Sequence, residues 1–193
     1  MSLKGPNNGD VQKIHAEINQ IVNQRFLVIT IAVAIFGVVG TWLIPKNTPS
    51  TPNDESVLLA LTVLGSILLT SLLFMLFIVS HCLTRMLRIY TTYLIVTNKS
   101  DWEQDWKRYR EKKYFGYTKT LTIFFLFLIG LSTFIPVIFS IFGAVEFKLS
   151  LVSLVGIKLG VVYLFFVAAM GLGGRLDNEK KAKKKWEDLC REK

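Results

Sequence analysis

Four long runs with almost no charge divide this chain, and they limit what it can fold into more than any motif does. Residues 26–44 (19 residues), 56–84 (29) and 120–145 (26) contain no Asp, Glu, Lys or Arg. The fourth run, 149–174, is 26 residues long with one lysine, Lys158. A hydrocarbon layer of about 30 Å is crossed by ~20 apolar residues rising 1.5 Å each, so every run is long enough to span it. Four such runs in 193 residues exceed what a soluble core of this size takes up. The expected fold is all-α: a polytopic membrane protein with four transmembrane helices and short cytoplasmic helical extensions.

The basic residues give the expected orientation, because cytoplasmic segments near membrane ends accumulate Lys and Arg. Of the 23 Lys and Arg, only Lys46, Lys148 and Lys158 lie outside residues 1–25, 85–119 and 175–193. With four spans, those three segments fall on one side. The sequence therefore predicts a multi-pass protein of the cell inner membrane with both termini cytoplasmic. Its expected parts are an N-terminal helix (1–25), a first transmembrane hairpin (26–84), a stalk and amphipathic helix (85–119), a second hairpin (120–174) and a basic tail (175–193). Trp42-Leu43-Ile44-Pro45 offers no small-residue cleavage site, so the first run reads as a retained span. The two cysteines, Cys82 and Cys190, fall on the reducing side and form no metal-ligand spacing.

The extensions carry their own helical signals. Asp10 is a plausible N-cap, and Val11, Ile14, Ile18, Ile21 and Val22 recur at helical spacing with no Gly or Pro between Asp10 and Phe26. One helix is expected to run from Asp10 straight into the first span, with an apolar stripe that needs a partner. The second run is too long for a bilayer alone. Leu87, Tyr90, Tyr93, Leu94 and Thr97 carry a stripe past Arg85 and Arg88, so a cytoplasmic stalk is expected there. Pro136 should kink the third span.

Within the spans, Thr62, Ser66 and Thr70 form an i, i+4, i+8 row, most simply a face that lets another helix approach closely. Gly156 and Gly160 make a G-x-x-x-G pair, and Lys158 points about 200° away from both on a 3.6-residue helix. These six residues are the candidate pore or interface positions. Lys158 has two open readings. Near the outer end it would snorkel to head groups; in an oligomeric pore it would meet water or an anion.

The chemistry the chain lacks is also informative. The four runs hold no carboxylate, which argues against a small proton-coupled transporter. No HExxH, GxSxG, Walker loop or clustered Asp motif occurs. An enzyme is not expected, nor a metal or other cofactor. His81, near the end of the second run, reads either as a pH-sensing group or as a packing histidine.

Outside the spans, Ser100-Asp101-Trp102-Glu103 reads as a capping box opening a helix. Trp102, Trp106 and Tyr109 share one face of it, beside Lys107, Arg108, Arg110, Lys112 and Lys113. That face is the candidate cytoplasmic ligand or partner surface. It has three open readings: an interfacial helix at the head groups, a packing face for the Val11–Val22 stripe, or a stacking platform for nucleic acid. The lysine-rich stretch 180–185 reads as a solvated tail or lipid contact, or as a polyanion site. Expected partners are thus membrane lipid, further copies of the chain, and a nucleotide, nucleic-acid or soluble protein partner on the cytoplasmic side.

The segment Ile14-His15-Ala16-Glu17-Ile18-Asn19-Gln20 running into Phe26, together with residues 100–110, resembles small bacterial membrane effectors. The layout of a short cytoplasmic helix, paired spans and stalks entering a compact basic region is similar to the SLATT-like effectors of anti-phage systems. Hailong channel subunits and four-span Kiwa membrane subunits share that general plan. The resemblance implies a homo-oligomer, as a tetramer for example, whose pore or membrane assembly answers a cytoplasmic signal. It assigns no individual residue.

Overall fold

The computed structural model describes residues 8–43, 52–97, 117–141 and 151–171, with a C-terminal stretch at 183, 184 and 186–188. Apart from a turn at Thr97, every described residue is helical. The long helices are α1 (Asn8–Leu43), α2 (Pro52–Val96), α3 (Tyr117–Ile141) and α4 (Leu151–Gly171). All four are long and apolar enough to cross a membrane.

Two of them are far longer than a crossing requires. α1 has 36 residues and α2 has 45, ~54 and ~68 Å of helix at 1.5 Å per residue. Neither contains a proline beyond its first turn, so nothing in either sequence removes a backbone donor midway. α1 begins at Asn8, two residues before the expected cap; Asp10 lies in the first turn, where its carboxylate faces the positive end of the helix dipole.

Specific contacts fix the topology. The Glu17 carboxylate accepts a hydrogen bond from the Tyr90 hydroxyl, and at the other end Leu43 lies over Gly65. Those two points share one antiparallel register, so α1 and α2 run side by side for ~40 Å. Phe77 meets Phe125, with ring centroids 5.7 Å apart, and Arg88 Nη2 donates to Thr118 Oγ1 at 3.1 Å, which sets α3 antiparallel to α2. Gly160 faces Thr133 and Gly171 faces Thr122, which sets α4 antiparallel to α3. α4 also lies parallel to α2: Gly156 meets Ile67, and Tyr163 stacks on Phe74 at 4.2 Å.

The result is a packed trio, α2, α3 and α4, with α1 flanking α2. Among the described residues α1 makes only a slight approach to α3 and none to α4. Leu69, Leu73 and Phe77 of α2, Phe125 and Ile129 of α3, and Val167 of α4 are essentially fully buried between the trio's helices, and Ala32 seats α1. The Val/Ile stripe of α1 finds its partner in the far end of α2. By the shared register Ile14 lies level with Leu94 and Ile21 with Leu87, and both Ile21 and Leu94 are buried.

Pro136 sits inside α3, which continues to Ile141. A proline at this position has no N–H to give the carbonyl four residues earlier, that of Ser132. The vacancy is filled from α2: Ser66 Oγ donates to the Ser132 carbonyl oxygen at 2.5 Å.

Candidate functional site

The row predicted on α2 is buried. Thr62, Ser66 and Thr70 all face the protein interior, but they do not act alike. Thr62 Oγ1 donates back to the Leu58 carbonyl of its own helix at 2.8 Å. Ser66 and Thr70 reach across to α3, where Thr70 Oγ1 and Ser132 Oγ lie 2.8 Å apart and Ser132 Oγ also reaches the Ile129 carbonyl at 2.9 Å. Hydroxyls in an apolar interior must find partners, and here two helices supply each other's.

The glycine pair on α4 is divided between two neighbours. Gly156 faces α2, where an added Cβ would stand 3.0 Å from Ile67 Cγ1. Gly160 faces α3, where an added Cβ would overlap the Thr133 side chain and stand 2.9 Å from its Cβ. Gly171 repeats the second arrangement against Thr122, with 2.7 Å to the threonine Cβ. Both threonines turn their hydroxyls back onto their own helix, Thr133 to Ile129 at 2.7 Å and Thr122 to Thr118 at 2.8 Å. The contribution of Gly171 escapes a search for G-x-x-x-G. The signal that reveals it is a matched spacing: Gly160 to Gly171 and Thr122 to Thr133 are the same eleven residues, three helical turns.

Lys158 is exposed on the side of α4 turned away from these contacts. It therefore belongs to the outer surface of the bundle, and the interior between α2, α3 and α4 is filled by large side chains. His81 is buried, its ring 5.7 Å from that of Phe77. At the same end of the bundle the C-terminal stretch meets the stalk of α2: the Trp186 ring lies 4.8 Å from Tyr93, and Lys183 pairs with Glu187 at 3.7 Å along its own turn. The Glu17 carboxylate bonded to Tyr90 raises the pKa of that phenol.

The proposed capping box and the candidate surface of Trp102, Trp106, Tyr109, Lys107, Arg108, Arg110, Lys112 and Lys113 lie outside the described residues, as do Lys180 and Lys181. Among the described residues no cluster of His, Cys, Asp and Glu could hold a metal ion. No protein-family model matches the chain, and no curated protein or solved structure matches it either.

Proposed function

We propose that the chain is a multi-pass membrane protein whose copies assemble into an ion-conducting pore gated through the helical extensions, acting as an effector in anti-phage defence. The membrane part of this reading is supported by a common level among the four helices. Projected onto α2 through the contacts above, the apolar part of α1 from Phe26 to Leu43 covers residues 82 to 65. Those of α3 and α4 cover the same stretch. Eighteen residues of helix make ~27 Å, close to the ~30 Å hydrocarbon thickness. Trp42, exposed at the Leu43–Gly65 edge, stands where aromatic side chains meet head groups. Positive-inside charge puts the opposite edge, beside Arg85, Arg88 and Lys119, in the cytoplasm.

The observation that carries the pore reading is the position of Lys158. It is exposed at the level of Leu69, about four residues or ~6 Å inside the outer edge. A lysine facing lipid costs roughly 2.5–3.5 kcal/mol at the bilayer centre on insertion scales, and less nearer the edge; water in an interprotomer pore removes that cost. With the trio's interior filled, such a pore would have to run between copies, and its apolar lining would close by dewetting. In single-channel recordings Lys158→Glu should reduce or reverse anion preference, and Lys158→Met should change conductance while leaving assembly intact. Unchanged conductance and selectivity in both variants would assign Lys158 to snorkelling, since ~6 Å is within a lysine's reach.

The second reading is a membrane anchor or sensor that recruits a soluble cytoplasmic partner through the 85–119 and C-terminal surfaces, whose aromatic and basic residues suit such a contact. A strictly monomeric protein, silent in liposomes but retaining a cytoplasmic partner, would favour that anchor. Orientation is tested separately in a cysteine-free background. Thr51→Cys should react with an impermeant reagent from outside, and Asn98→Cys only after permeabilisation; the reverse pattern would overturn the charge argument.

A further inference from the structure

α2 is flanked by α1 on one side and by α3 and α4 on others, which leaves one arc of its surface open from Leu68 to Ile89. Along that arc Leu68, Met75, Cys82 and Ile89 recur every seven residues, with Leu72, Val79 and Met86 falling between them, and all are exposed. This alternation of four and three is the a/d seam of a coiled coil, with Leu72, Val79 and Met86 at a and the others at d. Lipid alone would account for the part of the seam at bilayer depth. It does not account for where the seam ends.

The exposed large apolar side chains of α1, α3 and α4 all lie within the apolar layer, the first of them on α1 being Phe26. Past that edge, among the described residues, only Met86 and Ile89 on α2 remain exposed, at 51% and 38%. They stand ~6 and ~10 Å beyond residue 82, on the turns that carry Arg85 and Arg88. A face that stays apolar from bilayer depth into the charged zone, on one uninterrupted helix, fits a partner helix with the same two-zone profile and the same orientation. We infer that α2 pairs in parallel with α2 of a second copy of this chain along the Leu68–Ile89 seam.

The flanking charge agrees with that register. In a parallel pair the residue at g faces the e residue five positions on in the partner helix. Arg85 at g then faces Tyr90 of the second copy, and with it the Glu17 carboxylate that Tyr90 holds. Arg85 meets an acid rather than its own equivalent. The inference rests on the homo-oligomeric membrane reading above and adds its contact surface.

Cys82 is a built-in reporter, since d positions of parallel partners meet across the axis. In native membranes of a Cys190→Ser variant, mild oxidation should join two chains through Cys82. In a background without Cys82 and Cys190, Met75→Cys and Ile89→Cys should do the same. Phe165→Cys, exposed on α4 away from the seam, is the comparison; the seam positions should give ~10-fold more covalent dimer, because a disulfide needs Cα atoms within about 7 Å. Met86→Lys should reduce Cys82 dimer several-fold while leaving monomer yield unchanged. Efficient dimer through Phe165→Cys with none through the seam would overturn this interface and leave the oligomeric pore standing. A chain that stays monomeric to a long amine-reactive crosslinker and by native mass would sink both.

Discussion

Replacing Ser66 with alanine is expected to destabilise the bundle by about 1–3 kcal/mol, the cost of stranding a buried acceptor. Nearly all of that cost should vanish when Pro136 is also replaced. The reasoning is local. Pro136 leaves the Ser132 carbonyl without its helical donor, and the Ser66 hydroxyl at 2.5 Å supplies the missing one. In an apolar layer no water can substitute. Pro136→Ala restores an N–H four residues after Ser132, so the carbonyl no longer depends on α2. Unfolding in mixed micelles for the wild type, both single variants and the double variant gives the coupling directly. Equal Ser66→Ala costs in the two backgrounds would mean that Ser66 contributes only shape.

The glycines of α4 should show the next largest effect, and in the unusual direction of a methyl group doing harm. Gly160→Ala and Gly171→Ala each place a Cβ into a threonine whose own Cβ is under 3 Å away. A rotamer change moves the threonine's outer atoms but not its Cβ, so the helices must separate, at about 1–3 kcal/mol per site. Gly37→Ala is the internal control. Nothing lies within 4 Å of that position, so ordinary helix propensity predicts a neutral or slightly stabilising change. Thr133→Ala should partly rescue Gly160→Ala and leave Gly171→Ala as damaging as before. If all three glycines respond alike, close helix approach is not what selects them.

Much of the architecture was legible because it depends on local pattern. Nothing between Asp10 and Leu43 breaks a helix, so the leading stripe and the first span had to be one rod, and the same reasoning extended the second span toward Thr97. The hydroxyl row on α2 was visible because i, i+4, i+8 marks a single face. Its partners were not visible. That Ser132 rather than any other serine receives Ser66 follows from the register between α2 and α3, which a sequence separation of 66 residues does not encode locally. The glycines on α4 illustrate the same limit. Four-residue spacing suggested one partner helix, but α4 wedges between two, so Gly156 meets α2 while Gly160 joins Gly171 against α3. The aromatic and basic surface from Trp102 to Lys113 lies outside the described residues, and its three readings rest on sequence alone.

The unbroken length of α1 and α2 makes their hairpin a lever. Joined from Glu17–Tyr90 to Leu43–Gly65 without a proline hinge, it resists bending far more than it resists tilting. A rotation of ~10° about one end of a ~40 Å rod displaces the other end by ~7 Å, more than a full helical turn. α1 touches the trio almost solely through α2, so a tilt of α2 against α3 and α4 carries α1 with it. A tilt set at the Glu17 end is therefore carried along the rod to the Leu43 end as displacement rather than absorbed in a bend.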